Sequence, residues 1–279
     1  MTATLPPPEL AGLTHIGRIR AENQDHFLAC ALDVSARSRE TSLPEIPGEW
    51  GPLSDDAAAR AGGIVLAAVA DGVGGGPAGE LASRHALLSF PSELSQVLLD
   101  DTQPPAVRSR LTSAVLRLHR RLLDLTQTDQ GLAGMATTLT AWLGLGNEAY
   151  VVQVGDSRCY RLRDGVLEQL TQDQTMAQDL VNQGLIDDPS HAPLGWDNIL
   201  TGALGGASSE PTVTATDRQP GDVILVCSDG VMKHIPDPEL AEILDSSGAV
   251  RTLVGRIVER ALDDGGTDNI TAVVAREAP

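Results

Sequence analysis

The chain has 279 residues, enough for one large domain or two small ones, and its 42% apolar and 21% charged residues are ordinary for a soluble globular protein. A formal charge of -18, with no basic cluster to offset it, argues against a nucleic-acid partner or an anionic membrane surface. Aromatics reach only 3%, so the core must be built from Leu, Val, Ile and Ala.

Residues 1–12 are Pro-rich and read as a loose segment ahead of a single domain over 13–279. The opening MTATLPPPELAGL has neither a basic region nor an apolar stretch of signal-peptide length. Cys30, Cys159 and Cys227 each sit in an apolar, strand-like run, which suits a reducing compartment and no disulfide framework. The expectation is a cytoplasmic monomer with no membrane partner.

LTHIGRIRAENQDHFLACALDV reads as two short strands around a turn carrying Arg20, Asn23, Gln24 and Asp25. Residues 34–62 hold no sustained period and read as a loop insertion. The apolar run 64–70 has the length of a buried strand and ends on Asp71, followed by a glycine-rich stretch. Helices are expected over 80–90 and 104–126. The second has Val107, Leu111, Ala114, Val115, Leu118, Leu122 and Leu125 in one stripe, with its arginines on a solvated face. Strands follow over 136–145, 149–155, 159–163 and 166–170, with hairpin turns at Gly146-Asn147 and Asp164-Gly165. A short helix over 175–183 precedes an irregular segment with His191 and Trp196, both read as loop packing. Strands over 212–216 and 223–227, helices over 238–244 and 250–262, and a strand over 270–276 complete the chain. Adjacent strands joined by tight turns, with helices in two pairs, predict an α+β fold. Its architecture is a four-layer α-β-β-α sandwich of two mostly antiparallel sheets.

Asp71, Asp156 and Asp229 each end an apolar run, and Asp268 stands just before the last one. Carboxylate oxygens at strand ends suit Mg²⁺ or Mn²⁺, whereas Zn²⁺ recruits His or Cys. Carboxylates sharing two ions about 3.5–4 Å apart hold a hydroxide that attacks phosphorus at neutral pH. Arg20 is the candidate clamp for phosphate oxygens. Against this, an Asp-Gly pair after a strand is most often a turn, and the glycines at 74–76 also fit a hinge or a nucleotide loop, although the P-loop pattern is missing. Ser157 and Ser228 stand outside any Gly-x-Ser-x-Gly elbow, which leaves a serine nucleophile weakly supported.

Six segments in order carry a resemblance. They are Arg20-Ala-Glu-Asn23-Gln24-Asp25, Ala70-Asp71-Gly72-Val73-Gly74-Gly75, Gly134-Met135-Ala136-Thr137-Thr138-Leu139, Gly155-Asp156-Ser157-Arg158, Cys227-Ser228-Asp229-Gly230 and Thr267-Asp268-Asn269-Ile270-Thr271. Together they resemble the metal-dependent protein serine/threonine phosphatases, the PPM or protein phosphatase 2C family, in its compact bacterial form. The resemblance implies that Asp71 bridges two Mn²⁺ or Mg²⁺ ions and that the Gly72 carbonyl binds one. Asp229 and Asp268 would bind the second, and Asp156 with Asp229 a third, weaker ion. It implies that Arg20 holds the phosphate, that Gln24, Asp25 and Asn269 stand behind the ligands, and that residues 172–205 form a mobile flap.

Three positions depart from the pattern. Gln24 and His15 stand where many members have acids, and Val73 stands where some have a histidine that protonates the leaving group; a metal-bound water would serve instead. The implied activity is hydrolysis of phosphoserine and phosphothreonine in proteins that are substrates of an opposing Ser/Thr kinase. The rival readings are a phosphatase-like module that binds phosphoprotein without turnover, and a metal-dependent phosphodiesterase or nuclease. The complete set of acids disfavours the first, and the missing basic groove disfavours the second.

Overall fold

The computed structural model describes residues 5–32, 37–43, 51–52, 64–74, 77–98, 104–128 and 130–279. In chain order the strands are β1 (Glu9–His15), β2 (Asp25–Leu32), β3 (Arg37–Thr41), β4 (Gly51–Pro52) and β5 (Ile64–Val73). Helices α1 (Pro77–Leu98) and α2 (Pro104–Thr128) follow. Next come β6 (Ala136–Thr137), β7 (Leu139–Leu145), β8 (Glu148–Val154), β9 (Arg158–Arg163) and β10 (Val166–Gln169). The rest is α3 (Met176–Asn182), β11 (Thr212–Asp217), β12 (Val223–Cys227), α4 (Asp229–Met232), α5 (Asp237–Asp245), α6 (Val250–Asp263) and β13 (Ile270–Arg276).

One sheet runs β1-β13-β12-β9-β10, and the other runs β11-β8-β7-β5-β2-β3-β4 with β6 attached to β5. Among the described residues every pair is antiparallel except β3 with β4. The period of two sorts the side chains. On β5, Leu66, Ala68 and Ala70 face the α1–α2 core, while Val65, Ala67 and Val69 face the space between the sheets. On β12, Val223, Leu225 and Cys227 pack under α5 and α6, while Ile224 and Val226 point inward. Strands buried on both faces read as unbroken apolar runs, which is why both were legible. The expected four-layer sandwich is therefore the fold found.

The α2 stripe is buried as expected from Val107 to Leu122, with Leu125 partly buried. Its arginines are not all solvated, because Arg117 donates to Glu93 of α1 at 2.6 Å and Glu93 is buried. Helix α1 does not stop at Phe90. It continues through Pro91, because Phe90 and Leu94 are both fully buried in the same core and packing outweighs the proline. The three cysteines are buried free thiols.

Two expectations need correction. Residues 9–12 are not loose: β1 pairs with β13 from Glu9↔Arg276 onward, and Leu10 and Ala11 are buried. The prolines before it hid a strand whose stability comes from its neighbour. Nor is 34–62 wholly loop. Residues 37–41 add a strand to β2, and Leu43 joins the α1–α2 core. The sequence there, Arg-Ser-Arg-Glu-Thr, is polar throughout, so no apolar alternation announces it. The remainder of 34–62, apart from 51–52, lies outside the described residues.

Two buried polar groups secure the frame. Arg218 forks onto Glu277 at 2.7 and 2.8 Å, also donates to the carbonyls of Gly146 and Pro6, and lies over the Trp142 ring, with both charged side chains almost fully buried. His26, on β2, meets the Ser83 hydroxyl of α1 at 3.0 Å, and that hydroxyl donates to the Gln24 carbonyl at 2.6 Å. A hydroxyl has one proton, so Nδ1–H of His26 is the donor to Ser83.

Replacing Arg218 by Met leaves Glu277 charged and unpaired in the interior, and should cost about 3–5 kcal/mol in urea unfolding; a loss under ~1 kcal/mol would show the pair to be dispensable. His26 supplies a pH dependence. Burial, helped by the nearby Arg84 charge, pulls its pKa down to about 4 from the usual 6.5. Between these values the unfolded chain takes up a proton that the folded chain refuses. Stability from this group is thus full above pH ~6.5 and is lost as pH falls toward ~4, by about 3 kcal/mol in all. His26→Gln should remove most of that loss in metal-free unfolding curves at neutral and acid pH. A pH dependence equal to the parent's would contradict it.

Candidate metal centre

The centre lies where both sheets end on one side. Asp71 is not at the end of β5 but inside it, at the residue where the strand changes partner. Val69 still pairs with Thr140 of β7, whereas Gly72 and Val73 pair with β6. Thr137 and Thr138 clamp this crossing. The Thr138 hydroxyl accepts from the Asp71 amide at 3.0 Å, and the Thr138 amide and Thr137 hydroxyl both donate to the Asp71 carbonyl at 2.9 Å. The Gly72 amide donates to the Gln24 carbonyl at 3.1 Å. A Cβ at Gly72 would lie 2.3 Å from the Gly79 carbonyl oxygen, so only glycine lets α1 begin this close to the strand.

Asp25 stands directly across from Asp71 in the β2–β5 register and is buried behind the cleft wall. Opposed like charges destabilise a strand pair. Here Asp25 is held by hydroxyls, since its Oδ2 accepts from Ser228 at 2.6 Å and Thr271 at 2.7 Å. With its proton so committed, Thr271 accepts from Thr14, which in turn accepts from Asn23 at 2.9 Å. The chain of donors runs from the 16–24 loop through β1 and β13 to Asp25.

The other acids come from the second sheet and from the β8–β9 turn. Asp229 is the first residue of α4, which only Ser228 separates from β12. A Cβ at Gly230 would lie 1.9 Å from the Asn269 carbonyl oxygen, so glycine allows α4 to press against the turn carrying Asp268. Asp156 follows β8 and is buried. Asn269 fixes the Arg20 loop: its Nδ2 donates to the Ile16 carbonyl at 2.9 Å and the Glu22 carbonyl at 3.0 Å, and its Oδ1 accepts from the Gln24 amide at 2.9 Å. Arg20, half exposed, lies on Asp268 through Nε at 2.6 Å and Nη2 at 2.8 Å. Lys233, one turn after Asp229, places its ammonium 2.5 Å from Asp229 and 2.8 Å from Asp268.

A cleft of about 520 Å³ gathers Arg20, Gln24, Asp71, Gly72, Asp156, Asp229, Asp268 and Asn269, together with Thr138 and Lys233. Eight of the nine residues singled out in the sequence thus line one cavity, and Asp25 backs it. Asn198 and Leu200, from the 172–205 segment, line it too. His191 stays away, paired with Asp187 at the surface. The sequence reading missed Lys233 and the clamping role of Thr137 and Thr138. Lys233 falls four residues after Asp229 on a helix, and that spacing was the available signal.

Charge dominates the site. Burial, then the charges of Asp25, Asp229, Asp156 and Asp268, hold the Asp71 carboxyl well above the usual carboxylate range. Burial also raises Asp25 and Asp229, and with Asp229 and Asp173 nearby it pushes Asp156 up to about 7. Asp268 is the exception: burial works against its ionisation, yet Arg20 and Lys233 hold it below the usual range. The Oδ1 atoms of Asp25 and Asp229 are buried without a hydrogen-bond partner. As placed, no three Asp, Glu, His or Cys side chains among the described residues converge on one point at ligating distance; two of the acids are drawn instead to Arg20 and Lys233. The donor set is nonetheless all oxygen and strongly self-repelling, and one buried Asp229 oxygen lacks a partner. These residues fit hard divalent cations such as Mn²⁺ or Mg²⁺.

Residues 50–271 match the family described as Protein phosphatase 2C. Among curated proteins, the serine/threonine protein phosphatase PstP of Mycobacterium tuberculosis is 37% identical over 214 residues, covering 76% of this chain and 40% of that protein. The match therefore covers well under half the length of that relative. The serine/threonine phosphatase stp of Listeria monocytogenes is 32% identical over 209 residues, 74% of this chain and 82% of that one. The crystal structure of the M. tuberculosis phosphatase PstP/Ppp aligns with a TM-score of 0.75 at 32% identity, covering 98% of this chain and 100% of that one. The catalytic domain of PstP in complex with 2 manganese ions aligns at 0.70 and 30% identity, covering 98% and 99%. Domain match, sequence relatives and solved structures agree along most of the length: this chain belongs to the protein phosphatase 2C family.

Proposed function

We propose that this chain hydrolyses phosphoserine and phosphothreonine in proteins, with Mn²⁺ or Mg²⁺ held by Asp71, the Gly72 carbonyl, Asp229 and Asp268. The observation that carries this is the acid cluster itself: four aspartates lining one cleft raise the cost of each other's charge, and a guanidinium stands beside them. The names of the relatives, and the two manganese ions of one structural neighbour, support the same reading. Bound divalent ions supply a nucleophile from water at neutral pH and take up charge on the phosphoryl group.

The chain's own residues do the rest. Arg20 has a forked, permanently charged head at the cleft, tethered by Asp268 and by the Asn269-braced loop, and it holds the non-bridging phosphate oxygens. Such fixed charge is the main catalytic contribution in phosphoryl transfer. Asn269 is a positioning residue, since it acts by holding the 16–24 backbone. Gln24 faces the cleft beside Gly74, where its amide offers hydrogen bonds without adding charge. Val73 lines the cleft and brings no proton, so the leaving oxygen draws its proton from water. Asp156 holds a third, weaker ion together with Asp229. The partners are phosphoproteins made by an opposing Ser/Thr kinase, and the three free thiols favour a reducing, cytoplasmic setting. A phosphodiesterase acting on nucleic acid fits the charge of -18 poorly.

Phosphate release from a phosphothreonine peptide, with and without Mn²⁺, tests the reading directly. Asp71→Asn and Asp229→Asn should each lower turnover by ~100-fold or more while circular dichroism stays unchanged; near-parental turnover at saturating Mn²⁺ would refute the assignment. Asp156 is tested separately. Asp156→Ala should keep the two inner ions in calorimetry, lower turnover several-fold, and alter its dependence on Mn²⁺ concentration, because an ion with few protein ligands binds weakly. A mutant equal to the parent in both measurements would make Asp156 a turn residue.

A further inference from the structure

We propose that Lys233 is a tethered competitor of the divalent ions, a built-in cation that sets the metal concentration at which the cleft fills. The proposal rests on the reading of Asp229 and Asp268 as metal ligands. Lys233 follows α4, and its amide donates to the Asp229 carbonyl at 2.9 Å, so the i, i+4 geometry lays its stem along the Asp229 side of the helix. Its ammonium bridges two acids, 2.5 Å from Asp229 Oδ2 and 2.8 Å from Asp268 Oδ2. Arg20 takes Asp268 as well, at both oxygens, but makes no such bridge. Asp268 therefore has both oxygens engaged by cations. Asp229 keeps only Oδ1, buried and without a hydrogen-bond partner.

An ion that draws on Asp229 and Asp268 together must displace the ammonium from both. The Lys233 side chain is 32% exposed and flexible along its stem, so a path to solvent is open to it. The metal-free protein thus gains from Lys233 what the metal-loaded protein gives up. By linkage, any group that stabilises the free state alone weakens the ligand's apparent affinity by the same factor. A positive charge kept within a few ångströms of the ion adds repulsion in the same direction. Lys233 lowers metal affinity while raising stability without metal, two effects of opposite sign that ordinary packing does not produce.

The test uses the full chain, Mn²⁺ titration calorimetry, and thermal melts in chelator and in Mn²⁺, on the parent, Lys233→Met, Lys233→Gln and Lys233→Arg. Lys233→Met and Lys233→Gln should bind Mn²⁺ about 10-fold more tightly or better. Both should melt lower than the parent in chelator yet no lower in Mn²⁺, and Lys233→Arg should behave like the parent in all respects. A purely structural lysine would lower both melts and leave the Kd unchanged. If Lys233→Met does not fold without metal, Lys233→Gln, which keeps a donor for the acids, decides the matter. Unchanged or weaker Mn²⁺ binding in these variants, with the parent binding normally, overturns the proposal. A parent that binds no Mn²⁺ overturns instead the metal reading beneath it.

Discussion

Mutual repulsion among carboxylates is the constraint around which this end of the molecule is built. Asp25 and Asp71 are opposite each other on paired strands, and Asp156, Asp229 and Asp268 are near enough to raise the cost of ionising Asp71 further. No fold places so many acids together for stability's sake, because each loses solvation and meets like charge. The structure offsets the cost locally. Ser228 and Thr271 donate to Asp25, while Arg20 and Lys233 lie on Asp229 and Asp268. These devices lessen the strain without removing it, and a site left in that state invites external positive charge.

The sandwich makes the cluster possible by bringing two sheets to a common edge. Asp71 and Asp25 belong to one sheet; Asp229 and Asp268 adjoin β12 and β13 of the other. Contacts across the edge hold the halves in register: Ser228 and Thr271 reach Asp25, and Asn269 reaches the loop that leads into β2. Far from the cleft, the buried Arg218–Glu277 pair ties the C-terminal strand to the β7–β8 turn and to Pro6. The acids are thus anchored on backbone that hydrogen bonds across the edge hold in place.

Legibility followed burial. Strands with both faces in a core, such as β5 and β12, and the one-sided helix α2, announced themselves by period and composition. The wholly polar strand β3 did not, because nothing apolar alternates along it, nor did the first half of β1 behind its prolines, because its pairing partner β13 lies far along the chain. Helix α1 outran its proline because Leu94 is held by tertiary packing that no local window reports. At the site, the acids stood out as residues ending apolar runs, and eight of the nine chosen residues share the cleft. Lys233 was passed over because a lysine four residues after an acid usually makes only a solvated helix pair. Its bridging of two acids depends on Asp268, which is 35 residues away.

Every role assigned to the cleft depends on whether this cluster takes divalent cations. Diffraction from crystals equilibrated with Mn²⁺, collected near the manganese absorption edge, answers that without reference to turnover. Anomalous peaks are expected in the cleft within coordination distance of Asp71, Asp229 and Asp268, with Lys233 turned away from the acids. A cleft without anomalous density at millimolar Mn²⁺, with Arg20 and Lys233 still paired to Asp229 and Asp268, would contradict that expectation.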